Sequence, residues 1–169
     1  MKKIVLILLF GIIGINVSAQ QHEVKLDVFD MIAFKSLDVT YMYILNEESG
    51  VGVSVFMPLS GKKNIFNYNE DFTFTPFYRQ YFPLGPVENV FVEAFVAINS
   101  GTDTYVDDLS VIQERTYTDG AFGFAVGKSY ISPRGFVAEA FIGAGRNLFD
   151  SPGSPSFVPR IGVNLGFRF

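Results

Sequence analysis

Cysteine and tryptophan are absent from the 169 residues, histidine occurs once, and charged residues make up only 18%. Without cysteine there is no disulfide, no thiolate metal site, no cysteine nucleophile and no cysteine to carry an N-terminal lipid. A soluble domain commonly holds about 25% charged residues, so this chain is poor in the groups a water-facing surface uses. Long apolar runs are missing too. Beyond the N-terminus none exceeds the five residues of Tyr41–Leu45 or Ala94–Ile98, whereas a membrane-spanning helix needs about 20. Yet 49% of the residues are hydrophobic, 16% are aromatic and the mean hydropathy is +0.27. The apolar content is high but dispersed.

The N-terminus is the one concentrated stretch. Lys2 and Lys3 precede the apolar run Ile4–Ile15, and Val17-Ser18-Ala19 sets small residues before Gln20. This order predicts a signal peptide over residues 1–19 and a single domain over 20–169. Removing the two lysines takes the net charge from −4 to −6. With no basic footprint, nucleic acid is not an expected partner. His22 would open the mature chain, where a solvated terminal role is expected.

From there the hydrophobic pattern has period two. In the last segment Phe157, Pro159, Ile161, Val163, Leu165, Phe167 and Phe169 share one face, opposite Val158, Arg160, Gly162, Asn164, Gly166 and Arg168. The same split recurs near 37–45, 51–58, 72–82, 90–99, 121–127 and 135–145. The stretch 24–34 follows it less well, because Asp30 falls on the apolar face; a bulge that re-aims the side chain is the expected reason. The pattern predicts eight strands, mostly of a length suited to a tilted membrane strand. Short turns are expected at 46–50, 83–88 and 130–134, and longer loops at 60–71, 101–117 and 147–156. The connection near Lys35-Ser36 is short out of turn.

The face opposite the apolar one carries roughly one charge per strand among Gly, Ala, Ser and Thr. That is too little charge for a soluble exterior, but it suits the narrow interior of an eight-stranded barrel. A charge facing the bilayer midplane costs about 2–4 kcal/mol, and apart from Asp30 the apolar face avoids one; Lys128 lies at a turn end, where it can snorkel. Parity places Lys25, Asp27, Asp38, Arg79, Glu93, Glu139, Arg160 and Arg168 inside, four acids and four bases. These are expected to pair across the lumen as a structural plug, with Arg79 and Glu93 as a bidentate pair on neighbouring strands. A selective pore would show an excess of one sign.

Signals for catalysis are weak. Ser–His or Asp–His chemistry has only His22 to draw on. Glu93 and Glu139 resemble a glycosidase pair only in residue type, and Gly143-Ala144-Gly145 lacks the strand-to-helix context of a phosphate loop. No enzyme activity, cofactor or metal is therefore expected. The acidic stretch 101–120, with Asp103, Asp107, Asp108, Glu114 and Asp119, fits a solvated loop or a cation contact but matches no defined calcium loop. In 60–71, Lys62 and Lys63 beside Ile65, Phe66 and Tyr68 suggest a recognition tip or a segment at lipid headgroups.

The stretch Pro76-Phe77-Tyr78-Arg79-Gln80-Tyr81-Phe82, followed by Val90-Phe91-Val92-Glu93, resembles the small outer-membrane barrels of Bacteroidota grouped as a domain of unknown function, within the OmpA-like class. Val24-Lys25-Leu26-Asp27, Gly135–Ala140 with Gly143-Ala144-Gly145, and Gly162–Phe167 agree with it. Met42 departs from an acidic residue common in that family, and Asp27 from an Asn. Outer-membrane barrels also commonly end in an aromatic read by the assembly machinery, which makes Leu165, Phe167 and Phe169 a candidate C-terminal assembly signal. The resemblance implies fold and location but no activity. The reading is thus an all-β, eight-stranded antiparallel up-and-down transmembrane barrel of a Gram-negative outer membrane. It is expected to be monomeric, with both termini periplasmic and no peptidoglycan-binding module after Phe169. Lipid, lipopolysaccharide and the barrel-assembly machinery are its expected partners, and its expected role is structural or in surface interaction. The alternatives are a narrow channel or lipid-handling transporter, and a secreted lipocalin-like binder.

Overall fold

A computed structural model describes residues 21–59, 70–84, 87–106 and 112–169. The predicted signal peptide, the 62–68 tip and Asp107–Asp108 lie outside the described residues. The chain forms a closed antiparallel barrel in which each strand pairs with its sequence neighbours and the last pairs with the first. The strands are β1 (His22–Asp27), β2 (Ser36–Asn46), β3 (Ser49–Pro58), β4 (Glu70–Leu84), β5 (Val87–Val106), β6 (Ile112–Ile131), β7 (Phe136–Asn147) and β8 (Phe157–Arg168). A short helix, α1 (Val28–Ala33), follows β1. Closure is sealed where His22 and Phe169 exchange backbone hydrogen bonds of 2.9 and 2.8 Å.

Alternation decides the two faces. In β6, Phe122, Phe124 and Val126 are about half exposed, while Ala121 and Ala125 between them are buried. The rule holds along β7 and β8, where Phe136, Ile142, Phe157, Ile161, Val163, Leu165 and Phe167 point outward. The outward face is therefore apolar, and the interior holds the charges together with the rings of Phe77, Phe91 and Phe95. Small residues give those rings room. A side chain on Gly123 would meet the Phe95 ring, and one on Gly127 the Phe91 ring. The β6–β7 turn closes through Gly135 N donating to Ser132 O (2.9 Å), with Gly135 at φ +89°, a conformation that glycine adopts without steric cost.

Two expectations are corrected. The stretch 24–34 is not a bulged strand: β1 ends at Asp27 and α1 takes over, so Asp30 is buried rather than outward. The cause is Asp27, whose Oδ1 accepts from the backbone N–H groups of Phe29 (2.8 Å) and Asp30 (3.0 Å). This cap satisfies donors that open a helix and switches the repeat from two to about 3.6. The stretch 101–117 is not simply a loop either. Beyond the Glu70–Gly101 and Ala121–Asn147 pairs, β5 and β6 continue as a two-stranded ribbon, pairing Thr102 with Thr116 and on to Val106 with Ile112.

Candidate functional site

The interior of the barrel is the candidate site. Its lower half, toward the short turns and the two ends of the sheet, holds a chain of alternating charges. Arg168 Nε donates to Glu23 Oε2 (2.9 Å). The other oxygen of Glu23 lies 2.9 Å from Lys25 Nζ. Lys25 donates in turn to Glu139 Oε2 (2.9 Å). Glu139 also receives Nη1 and Nη2 of Arg79 at 2.6 and 3.2 Å. From its other edge Arg79 gives Nε and Nη2 to Glu93 Oε2 (3.1 and 2.8 Å), and Glu93 Oε1 accepts from Arg160 Nη1. Three carboxylates thus separate four cations, and each carboxylate touches two of them.

Strand geometry explains the links. Arg79 and Glu93 stand directly opposite in the β4–β5 register, while Lys25 of β1, Arg79 of β4 and Glu139 of β7 meet across the lumen. Ser129 Oγ (3.1 Å) and Asn164 Nδ2 (2.9 Å) complete the shell of Glu139. The Arg79 guanidinium lies 3.7 Å from the centre of the Phe91 ring, and Arg160 stands 4.9 Å from that of Phe95. Aromatic faces attract such cations most strongly where water is excluded.

The sequence-predicted site residues divide into two groups. Lys25, Arg79, Glu93, Glu139, Arg160 and Arg168 join this chain. Asp27 and Asp38 do not, and no ion pair involves either among the described residues. Asp27 is drawn away by its cap on α1. Asp38 lies higher on the wall, opposite Phe56 of β3. The fork-to-fork partner of Arg79 is Glu139 rather than Glu93, which takes both of its Arg79 bonds on one oxygen. Glu23, fully buried, was missed, although the spacing Glu23, Lys25, Asp27 carries the same period-two signal one residue before the predicted strand. Asn99 Nδ2 donates to Asn147 Oδ1 (3.0 Å), a lumen contact that a search for charges passes over. Where a substrate would sit between Glu93 and Glu139, the Arg79 guanidinium stands instead.

Of the proposed assembly residues, Leu165 and Phe167 face outward, and the Phe169 ring stacks on His22 at 5.9 Å. His22 is therefore not free in solvent: it is the first residue of β1, and its Nδ1 lies 2.8 Å from the Tyr41 hydroxyl.

The acidic stretch 101–120 has partners of its own. Asp103 pairs with Arg115 (3.7 Å). Asp119 accepts from the backbone N–H groups of Gly120, Phe149 and Ser151 and from Ser154 Oγ at 2.7–3.1 Å, binding the β7–β8 loop to the ribbon. Burial alone would raise the Asp119 pKa, but these four donors outweigh it and hold the carboxyl below its usual range. Among the described residues no group of three or more acidic or histidine side chains is placed to hold a metal ion.

Above Arg160 the lumen widens into a cavity of about 430 Å³. Among the described residues its charged lining is Asp27, Asp30, Asp38, Glu70 and Arg160.

No protein-family profile matches the chain, and no curated protein matches it. The structure is similar to the N-terminal β-barrel domain of Pseudomonas aeruginosa OprF, with a TM-score of 0.56 at 15% identity over 89% of this chain and 98% of that one. The likeness is one of fold, that of a β-barrel.

Proposed function

We propose that the chain is a small integral outer-membrane barrel without catalytic activity, serving a structural or cell-surface interaction role. The observation that carries this reading is the inversion of polarity: an outward belt of Phe, Val, Ile and Leu around a buried chain of ion pairs. A soluble barrel needs the reverse, because an exposed apolar surface of this extent aggregates or meets another apolar phase. Charges on the outward face of β6 and β7 are confined to the ends, with Lys128 near the turns and Arg146 near the loops, where long side chains reach water. The OprF-like fold supports the same location. In this reading the β5–β6 ribbon stands outside the cell, the termini lie in the periplasm, and Leu165, Phe167 and Phe169 form the assembly signal. Lipid and lipopolysaccharide surround a monomer.

Fractionation of cells producing the full chain, with protease shaving of intact cells, tests compartment and orientation together. The protein should sediment with the outer membrane, be cut only in the ribbon and long loops, and migrate faster on a gel before boiling than after. Recovery in the soluble fraction without detergent, with one mobility, would overturn the membrane reading in favour of a secreted binder.

A further inference from the structure

The cavity above Arg160 lies where the wall changes character. Strand β1 stops after the Asp27–Asn164 pair, and β2 meets β1 only from Val39 onward. Among the described residues the upper part of β8, from Phe157 to Val163, therefore has no strand on that side. Helix α1, six residues long, closes the gap between β8 and β2. Its Phe29 and Asp30 line the cavity, and its Ile32 points outward.

The lining is divided between rings and carboxylates. Phe29, Phe34, Phe56 and Phe141 form apolar wall. Among the described residues the charged lining is acidic by four to one, and its base there, Arg160, is already bound to Glu93. Asp27 is occupied at the helix cap. Asp38 is different: its Oδ1 is buried and has no hydrogen-bond partner among the described residues. An unpaired buried acceptor is costly, most of all a charged one, and the group that removes the cost is an N–H donor carrying positive charge. A metal ion fits poorly, since the described acids are not grouped as ligands. An organic cation among aromatic faces fits well. The volume falls within the roughly 300–1,000 Å³ of small-molecule sites.

We propose that this cavity binds a small primary amine with an apolar body, its ammonium donating to Asp38 and its body lying among Phe29, Phe56 and Phe141. The site rests on the fold alone, so it stands or falls separately from the outer-membrane reading.

Titration calorimetry on the full-length folded barrel in nonionic detergent tests it with three probes of similar size. These are phenethylamine, its N,N,N-trimethyl analogue and 3-phenylpropionate. Phenethylamine should bind saturably with one site per chain. The trimethyl analogue keeps the charge but has no N–H, and it should bind at least tenfold more weakly; so should the carboxylate. Asp38→Asn should weaken phenethylamine binding at least tenfold. Absence of saturable binding, equal affinity for the three probes, or unchanged affinity in Asp38→Asn would overturn the proposal. If Asp38→Asn fails to fold, the ranking of the three probes on the unmodified protein decides.

Discussion

Glu139 is the residue on which the interior charges converge, taking Lys25, both Nη atoms of Arg79, Ser129 and Asn164. Replacing it by Gln keeps the shape but leaves two buried cations short of a counter-charge. Breaking a buried pair from one side costs about 3–5 kcal/mol, so Glu139→Gln should lower the unfolding free energy of the refolded barrel by about that amount, seen as a lower urea midpoint for loss of the fast-migrating gel form. Gly162 is a second sensitive position. A Cβ there would collide with the Asp27 carboxylate and the Phe141 ring, and overpacking of this kind costs about 1–3 kcal/mol. Gly162→Ala should therefore destabilise the same transition, and Asp27→Ala in the Gly162→Ala background should recover part of the loss.

At the scale of elements, α1 depends on its cap and the long loop depends on Asp119. Loss of an N-cap costs about 1 kcal/mol, while Asn caps as well as Asp. Asp27→Ala should thus increase amide exchange across residues 29–34, whereas Asp27→Asn should leave it nearly unchanged. Asp119 behaves as an acid-sensitive clasp. Its pKa is lowered on folding, so its contribution is complete above the ordinary aspartate value of about 3.9. That contribution declines as pH falls through the depressed folded value. Protection from hydrogen exchange at Phe149 and Ser151, taken relative to the free amide at the same pH, should fall on acidification from pH 6 to pH 2, and Asp119→Asn should show the lowered protection already at pH 6. Among the described residues no further strand pairs with the ribbon beyond Gly101 and Ala121, and the β7–β8 loop covers part of its β6 side through Leu148 N on Gly120 O and Ser151 Oγ on Thr118 O.

For the whole molecule, the charge chain from Arg168 to Arg160 crosses the lumen together with the rings of Phe77, Phe91 and Phe95. Eight strands leave little interior space beyond side chains, and here ion pairs and rings fill the lower half. Planar bilayers holding the purified protein should therefore show no steady conductance. A sustained open state would favour the channel alternative.

The sequence alone determined the number of strands and which face of each points out, because period-two alternation follows from the pleat and is printed residue by residue in stretches such as 157–169. It also determined that Lys25, Arg79, Glu93, Glu139, Arg160 and Arg168 point inward. Helix α1 does not follow from the alternation; the Asp27-x-x-Asp30 spacing, which resembles a helix start, is the signal that points to it. Which acid meets which base was decided only by tertiary structure. Parity says that a side chain points inward, while the stagger of strands around a closed barrel fixes its height, and pairing across the lumen depends on height. For that reason Glu139 of β7 reaches Arg79 of β4, sixty residues away. Asp38, on the same inner face, stands above the ion-pair chain with one oxygen unmatched.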